Sequence, residues 1–133
     1  MKKFLSVFFL FSVLLFFVAC SASPYAFKKT VGEIECVEIV FAENSFDYTV
    51  IKKLSETEMI DFMEQFKRIK FSTYYFGDPM SVYGDAVKIT YQEGDYELIC
   101  HHWSAYVKDG ESYSVWKNCD EEEFQNILNF FLR

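Results

Sequence analysis

The chain has 133 residues, of which 51% are hydrophobic and 20% aromatic, and it carries a formal net charge of −7. That acidity argues against a nucleic-acid partner, because phosphate binding needs clustered lysine and arginine. The length suits one domain beyond any leader, and its aromatic content can fill a core without obligatory disulfides.

The chain opens Met1-Lys2-Lys3, followed by a mostly apolar run from Phe4 to Val18. Spanning a bilayer core takes roughly 20 apolar residues, so this shorter run behind two lysines predicts a secretory signal rather than a retained helix. Its close, Phe17-Val18-Ala19-Cys20, resembles the lipobox of bacterial lipoproteins, with Phe17 where leucine is usual. The resemblance covers the first 20 residues. It implies cleavage before Cys20, a diacylglyceryl group on that residue, and lipid anchoring at the extracytoplasmic face of the cell membrane. The chain then divides into a signal peptide (1–19), a tether (20–29) with small residues and one proline, and a single domain (30–133). Losing the leader removes Lys2 and Lys3 and no acids, so 13 basic side chains fall to 11 against 20 acidic ones, and the net charge becomes −9. Such a charge disfavours lying flat on anionic lipid, although Lys28-Lys29 can touch headgroups locally.

Within residues 34–41, Val37, Ile39 and Phe41 alternate with charged or smaller neighbours, the pattern of a half-buried strand. Glu43-Asn44-Ser45 turns the chain into a second strand over 46–54, with Phe46, Tyr48 and Val50 on one face. Ser55 and Glu58 form a capping box for a helix whose stripe of Met59, Ile60, Met63, Phe66 and Ile69 reads as core packing. Residues 70–85 have no clear period. Their aromatics either cover the core or, at Tyr74, Tyr75, Phe76 and Tyr83, supply part of a recognition surface.

Residues 86–92 form the clearest strand. A two-residue turn at Glu93-Gly94 would place Tyr91 opposite Tyr96, Ile89 opposite Leu98 and Val87 opposite Cys100, all six on the core face. The returning strand runs from Tyr96 to Trp103. Asp109-Gly110 signals a type I′ turn that pairs Lys108 with Glu111, Tyr106 with Tyr113, Trp103 with Trp116 and Cys100 with Cys119. Direct opposition of the last pair predicts a Cys100–Cys119 disulfide outside the cytoplasm, with Cys36 left reduced. A change of apolar parity to Trp103, Ala105 and Val107 points to a bulge between the two ends of this register. Asp120 caps a last helix, with Glu121, Glu122 and Glu123 in its first turn and Phe124, Ile127, Leu128 and Phe131 on its apolar face. The expected fold class is α+β: a small antiparallel sheet of about five strands with two helices, in the order ββαβββα.

His101-His102 on a strand would point to opposite faces and could not share one ion, and no zinc spacing is present, so no metal site is assigned. An inward Cys100 makes a poor nucleophile, and no catalytic residue stands out. There is no phosphate loop, serine elbow or kinase signature, and no cofactor is implied. The expected role is a membrane-anchored lipoprotein whose domain is a non-catalytic binding module for another protein, a wall component or a small ligand. The alternative is a small cell-envelope enzyme, a hydrolase with an unrecognised site; a domain of this size leaves little room for a deep cleft.

Overall fold

Short-period alternation over most of the chain, interrupted by two capped helical stripes, builds a sheet with helices on one face. The computed structural model describes residues 22–72, 82–115 and 117–133. In chain order the elements are β1 (Ser23–Pro24), β2 (Ile34–Ala42), β3 (Tyr48–Lys53), α1 (Glu56–Phe66), β4 (Lys70–Phe71), β5 (Gly84–Tyr91), β6 (Tyr96–Ile99), β7 (Ser104–Lys108), β8 (Glu111–Val115) and α2 (Glu121–Leu132), with a 3₁₀ turn at Val31–Glu33. The six long strands form one sheet in the order β3-β2-β5-β6-β7-β8, and β1 pairs with β4 in a separate ladder. Every pairing is antiparallel. The fold is α+β, as expected.

Both helices start where local chemistry says they should. The Ser55 side chain accepts from the Glu58 N–H while the Glu58 carboxylate accepts from the Ser55 N–H. Asp120 Oδ1 accepts from the Glu123 N–H at 2.8 Å, and the three glutamates of that first turn are solvated. From α1, Phe62, Met63 and Phe66 are buried, and from α2, Phe124, Leu128 and Phe131. They pack on Val37, Ile39, Val87, Ile89 and Ile99 of the sheet. Ile60, expected in the stripe, is instead 57% exposed, and Phe62 takes its place. The two lie about 200° apart around a helix, so only one can face the sheet.

The turn at Asp109-Gly110 has positive φ at both residues, 53° and 76°, as a type I′ turn requires. It aligns Lys108 with Glu111 and Tyr106 with Tyr113. Trp116 lies outside the described residues, so its expected partnership with Trp103 does too. The hairpin between β5 and β6 corrects the expected register. A turn over residues 91–94, closed by Gly94 N–H to Tyr91 O and followed by Tyr91 N–H to Asp95 O, uses one more residue than a two-residue loop. Gly94, with φ +90°, supplies the left-handed position that this longer loop needs. Ile89 therefore faces Glu97, and Val87 faces Ile99. A one-residue slip sends every side chain of the strand to the other face. Tyr96, Leu98 and Cys100 leave the helix-covered face and Glu97 enters it. Leu98 and Cys100 join Val40, Ala42, Val82, Ala86, Trp103 and Ala105 in a second buried cluster on the opposite side.

Further along, the strand expected to run from Tyr96 through Trp103 ends at Ile99. Cys100 N–H bonds to Trp103 O at 2.9 Å, and Ile99 pairs with Ser104, so the chain reverses at His101-His102. The parity change to Trp103, Ala105 and Val107 marks a whole hairpin turn, not a bulge.

Residues 25–29, expected as part of a tether, are built into the domain. Tyr25 is 7% exposed, and its ring packs edge-on against Phe66 and Phe71. Its hydroxyl donates to Glu97 Oε1 at 2.9 Å, and the Lys28 N–H donates to Glu97 Oε2 at 3.1 Å. Tyr91 donates to the same carboxylate. Lys29 Nζ reaches Asp95 and Glu93 at 3.0 and 2.8 Å. A buried carboxylate is tolerated only with such donors around it, and here two of the three come from across the chain.

Candidate functional site

Tyr83 is the candidate recognition residue that falls among the described positions; Tyr74, Tyr75, Phe76 and the lipidation candidate Cys20 lie outside them. Tyr83 immediately precedes β5, and its side chain is 59% exposed. It meets the Phe41 ring edge-on, with centroids 5.6 Å apart. Phe41 is itself 37% exposed at the far end of β2. Alternation assigned Phe41 inward, and it does share the face of Val37 and Ile39, but it stands beyond the reach of the helical cover. The sequence period reveals a face; it carries no signal for where that cover stops. Two exposed aromatic rings in edge-to-face contact present a large, rigid area with one hydroxyl tip, a composition suited to molecular contact.

The turn at His101-His102 brings both imidazoles together, their centroids 4.5 Å apart, which corrects the expectation that they oppose each other across a strand. His102 Nδ1 lies 3.7 Å from Cys100 Sγ, and His101 Nε2 lies 3.8 Å from Glu121 at the start of α2. Cys119 joins this corner through its N–H, which donates to His101 O at 2.8 Å. Cys36, Cys100 and Cys119 are all free thiols in the structure, and the turn removes the strand register that had set Cys100 opposite Cys119. Burial raises the Cys100 thiol, and burial with nearby acids pushes Cys119 up to about 12. Burial, then the neighbouring His101, keeps His102 below the usual histidine range. A protonated thiol beside a neutral imidazole is not an activated nucleophile, because a thiolate is the attacking species. Among the described residues no group of three or more His, Cys, Asp or Glu is arranged to hold a metal ion.

Comparison with protein families, with curated proteins and with solved structures finds no match to this chain.

Hollows open on the surface among the described residues. One of about 500 Å³ lies between the turns at 92–95 and 109–110 and is lined by Phe46, Glu93, Asp95, Tyr96, Lys108 and Asp109. Its acid Asp95 is already engaged. Burial alone would raise that carboxyl, but the Tyr106 hydroxyl and Lys29 outweigh burial and hold it below the usual range. It serves as the far end of the Lys29 ion pair, with no proton to exchange near neutral pH. The second, of about 230 Å³, is apolar and runs between the 3₁₀ turn and α1 beside Val31, Ile34, Met59, Ile60 and Met63. The lining of this second hollow holds one carboxylate, Glu64, where a carboxylate-pair hydrolase needs two.

Proposed function

We propose that this protein is a lipid-anchored extracytoplasmic lipoprotein of the cell membrane whose domain is a non-catalytic binding module. The anchor is supported by the leader with its Val18-Ala19-Cys20 close. The binding role is carried by one observation, the exposed Phe41–Tyr83 pair. The partner class that fits is a protein or a wall component offering an apolar face with polar edges, since tyrosine contributes contact area and a hydroxyl at small rotamer cost. Support for a non-catalytic role comes from Cys100 and Cys119, whose thiols burial holds protonated, and from Glu97 and Asp95, whose carboxylates are taken up by Tyr25, Tyr91, the Lys28 N–H and Lys29.

Intact mass of the membrane-extracted protein tests the anchor: the chain should lack residues 1–19 and gain acyl groups at Cys20. Photo-crosslinking in intact producing cells tests the module. The full-length protein should give a discrete adduct that Tyr83→Ala and Phe41→Ala each abolish, with melting temperature unchanged. An adduct that survives both substitutions removes this surface from the reading.

A further inference from the structure

Acidic overall, the protein gathers most of its unpaired cations, among the described residues, in one corner. Among the described residues eight lysines and arginines stand outside ion pairs: Lys28, Lys53, Lys67, Arg68, Lys70, Lys108, Lys117 and Arg133. Five of them belong to segments that meet around residues 24–28. Lys70 is the ladder partner of Pro24. Lys117 Nζ donates to Ala26 O at 3.0 Å and sits 3.8 Å over the Tyr25 ring. Lys67 and Arg68 follow directly on Phe66, whose ring packs against both Tyr25 and Phe27. Lys28, Lys67, Arg68 and Lys70 are exposed. Among the described residues, Glu97 beside this corner is 1% exposed and surrounded by donors, Glu93 and Asp95 are taken up by Lys29, and Glu64, one turn earlier on α1, is the nearest exposed acid along that helix.

We propose that this corner docks on the anionic phosphodiester headgroups of the membrane that holds the anchor. It rests on the reading that Cys20 carries lipid. Three residues separate Cys20 from Pro24, and a fully extended chain covers at most about 3.5 Å per residue, so the Pro24 edge of the corner lies within roughly 14 Å of the Cys20 backbone. That is an upper limit, and any less extended path brings this edge within the Debye length of about 8 Å at physiological ionic strength, where the surface charge acts on it. The same field repels the acidic remainder of the domain. Together the two effects orient a protein that a single flexible tether would leave free to tumble. Net charge alone predicts repulsion from such a surface; the tertiary placement of the cations reverses the prediction locally.

The full chain, extracted from membranes and reconstituted into nanodiscs, provides the test. Backbone hydrogen exchange is compared between discs containing phosphatidylglycerol and discs of phosphatidylcholine alone. Each Lys or Arg held at an anionic surface contributes about fivefold in affinity, so exchange over residues 66–72 should slow by roughly tenfold or more on the anionic discs. The difference should vanish near 0.5 M salt, where screening shortens to about 4 Å. Arg68→Glu with Lys70→Glu should abolish it, whereas Lys53→Glu with Lys108→Glu, equal in net charge and elsewhere on the surface, should leave it intact. Equal exchange on the two lipids overturns the proposal. So does a loss shared alike by both double variants, or the same protection produced on phosphatidylcholine discs by soluble polyphosphate. Intact mass of the same preparation reads the anchor separately: a chain retaining residues 1–19 without acyl groups refutes lipidation at Cys20, and the exchange comparison still reports on the corner.

Discussion

Replacing Glu97 probes how the domain holds its own N-terminal segment. Its carboxylate is 1% exposed and accepts from the Tyr25 hydroxyl at 2.9 Å, the Lys28 N–H at 3.1 Å and the Tyr91 hydroxyl. In Glu97→Gln the amide oxygen can take the Lys28 N–H and Tyr91, while Tyr25 can rotate to accept from the new NH₂ group. Charge-assisted bonds become neutral ones, a loss of about 1–2 kcal/mol. Glu97→Leu leaves all three donors buried without acceptors, each costing about 1–3 kcal/mol, partly relieved because no charge need be desolvated; the net loss is about 3–5 kcal/mol. Adding Tyr25→Phe and Tyr91→Phe to Glu97→Leu removes two of the stranded hydroxyls and should recover much of that loss. Urea denaturation followed by tryptophan fluorescence measures the series, with midpoints falling in the order wild type, Glu97→Gln, Glu97→Leu and the slope unchanged. Glu97→Leu at wild-type stability, or no recovery in the triple variant, would refute the role given to this carboxylate.

Burial first, and Glu97 next, hold Tyr25 and Tyr91 above the usual tyrosine range. The folded state then keeps protons that the unfolded chain sheds above about pH 10, so stability is complete below that pH and declines above it. Urea titrations should show a fall of about 2–3 kcal/mol per pH unit for the two residues, and a flat profile to pH 11 would contradict it. At the other corner, alkylation of native Cys100 and Cys119 at neutral pH should run at least about a hundredfold slower than in urea, where a free thiol has a pKa near 8.5. Equal rates would show the thiols to be accessible, and a Cys100–Cys119 crosslink in protein matured outside the cell would restore the pairing expected from the sequence. Asp120→Ala deletes the cap on α2 and should cost about 1 kcal/mol, read as a fall in melting temperature of a few degrees; an unchanged melting temperature would mean that the Glu123 N–H finds water as readily.

What the sequence determined by itself is the set of features whose energy is settled within a few residues. Ser55 with Glu58 and Asp120 with the Glu123 N–H start the helices in the structure as they do on paper, because donor and acceptor lie three positions apart. Asp109-Gly110 turns as expected because backbone strain selects residues that accept positive φ. The α+β class followed from period alone. The candidate surface was legible only in part: Tyr83 stood out as an aromatic among turn formers, whereas its partner Phe41 is identified only by where the helices end. Tertiary structure decided the rest. One extra residue in the loop after Tyr91 chose which face Leu98, Cys100 and Glu97 occupy, and the preference belongs to distant partners: Tyr25 reaches Glu97 from 72 positions away. Alternation cannot weigh a carboxylate whose donors lie that far along the chain, so it set Tyr96, Leu98 and Cys100 on the core face, while small residues and one proline made 20–29 read as a tether. The free cations follow the same logic. Composition records an acidic protein, and only the meeting of β1, β4, the end of α1 and Lys117 collects five positive side chains at the point where the chain leads back to Cys20.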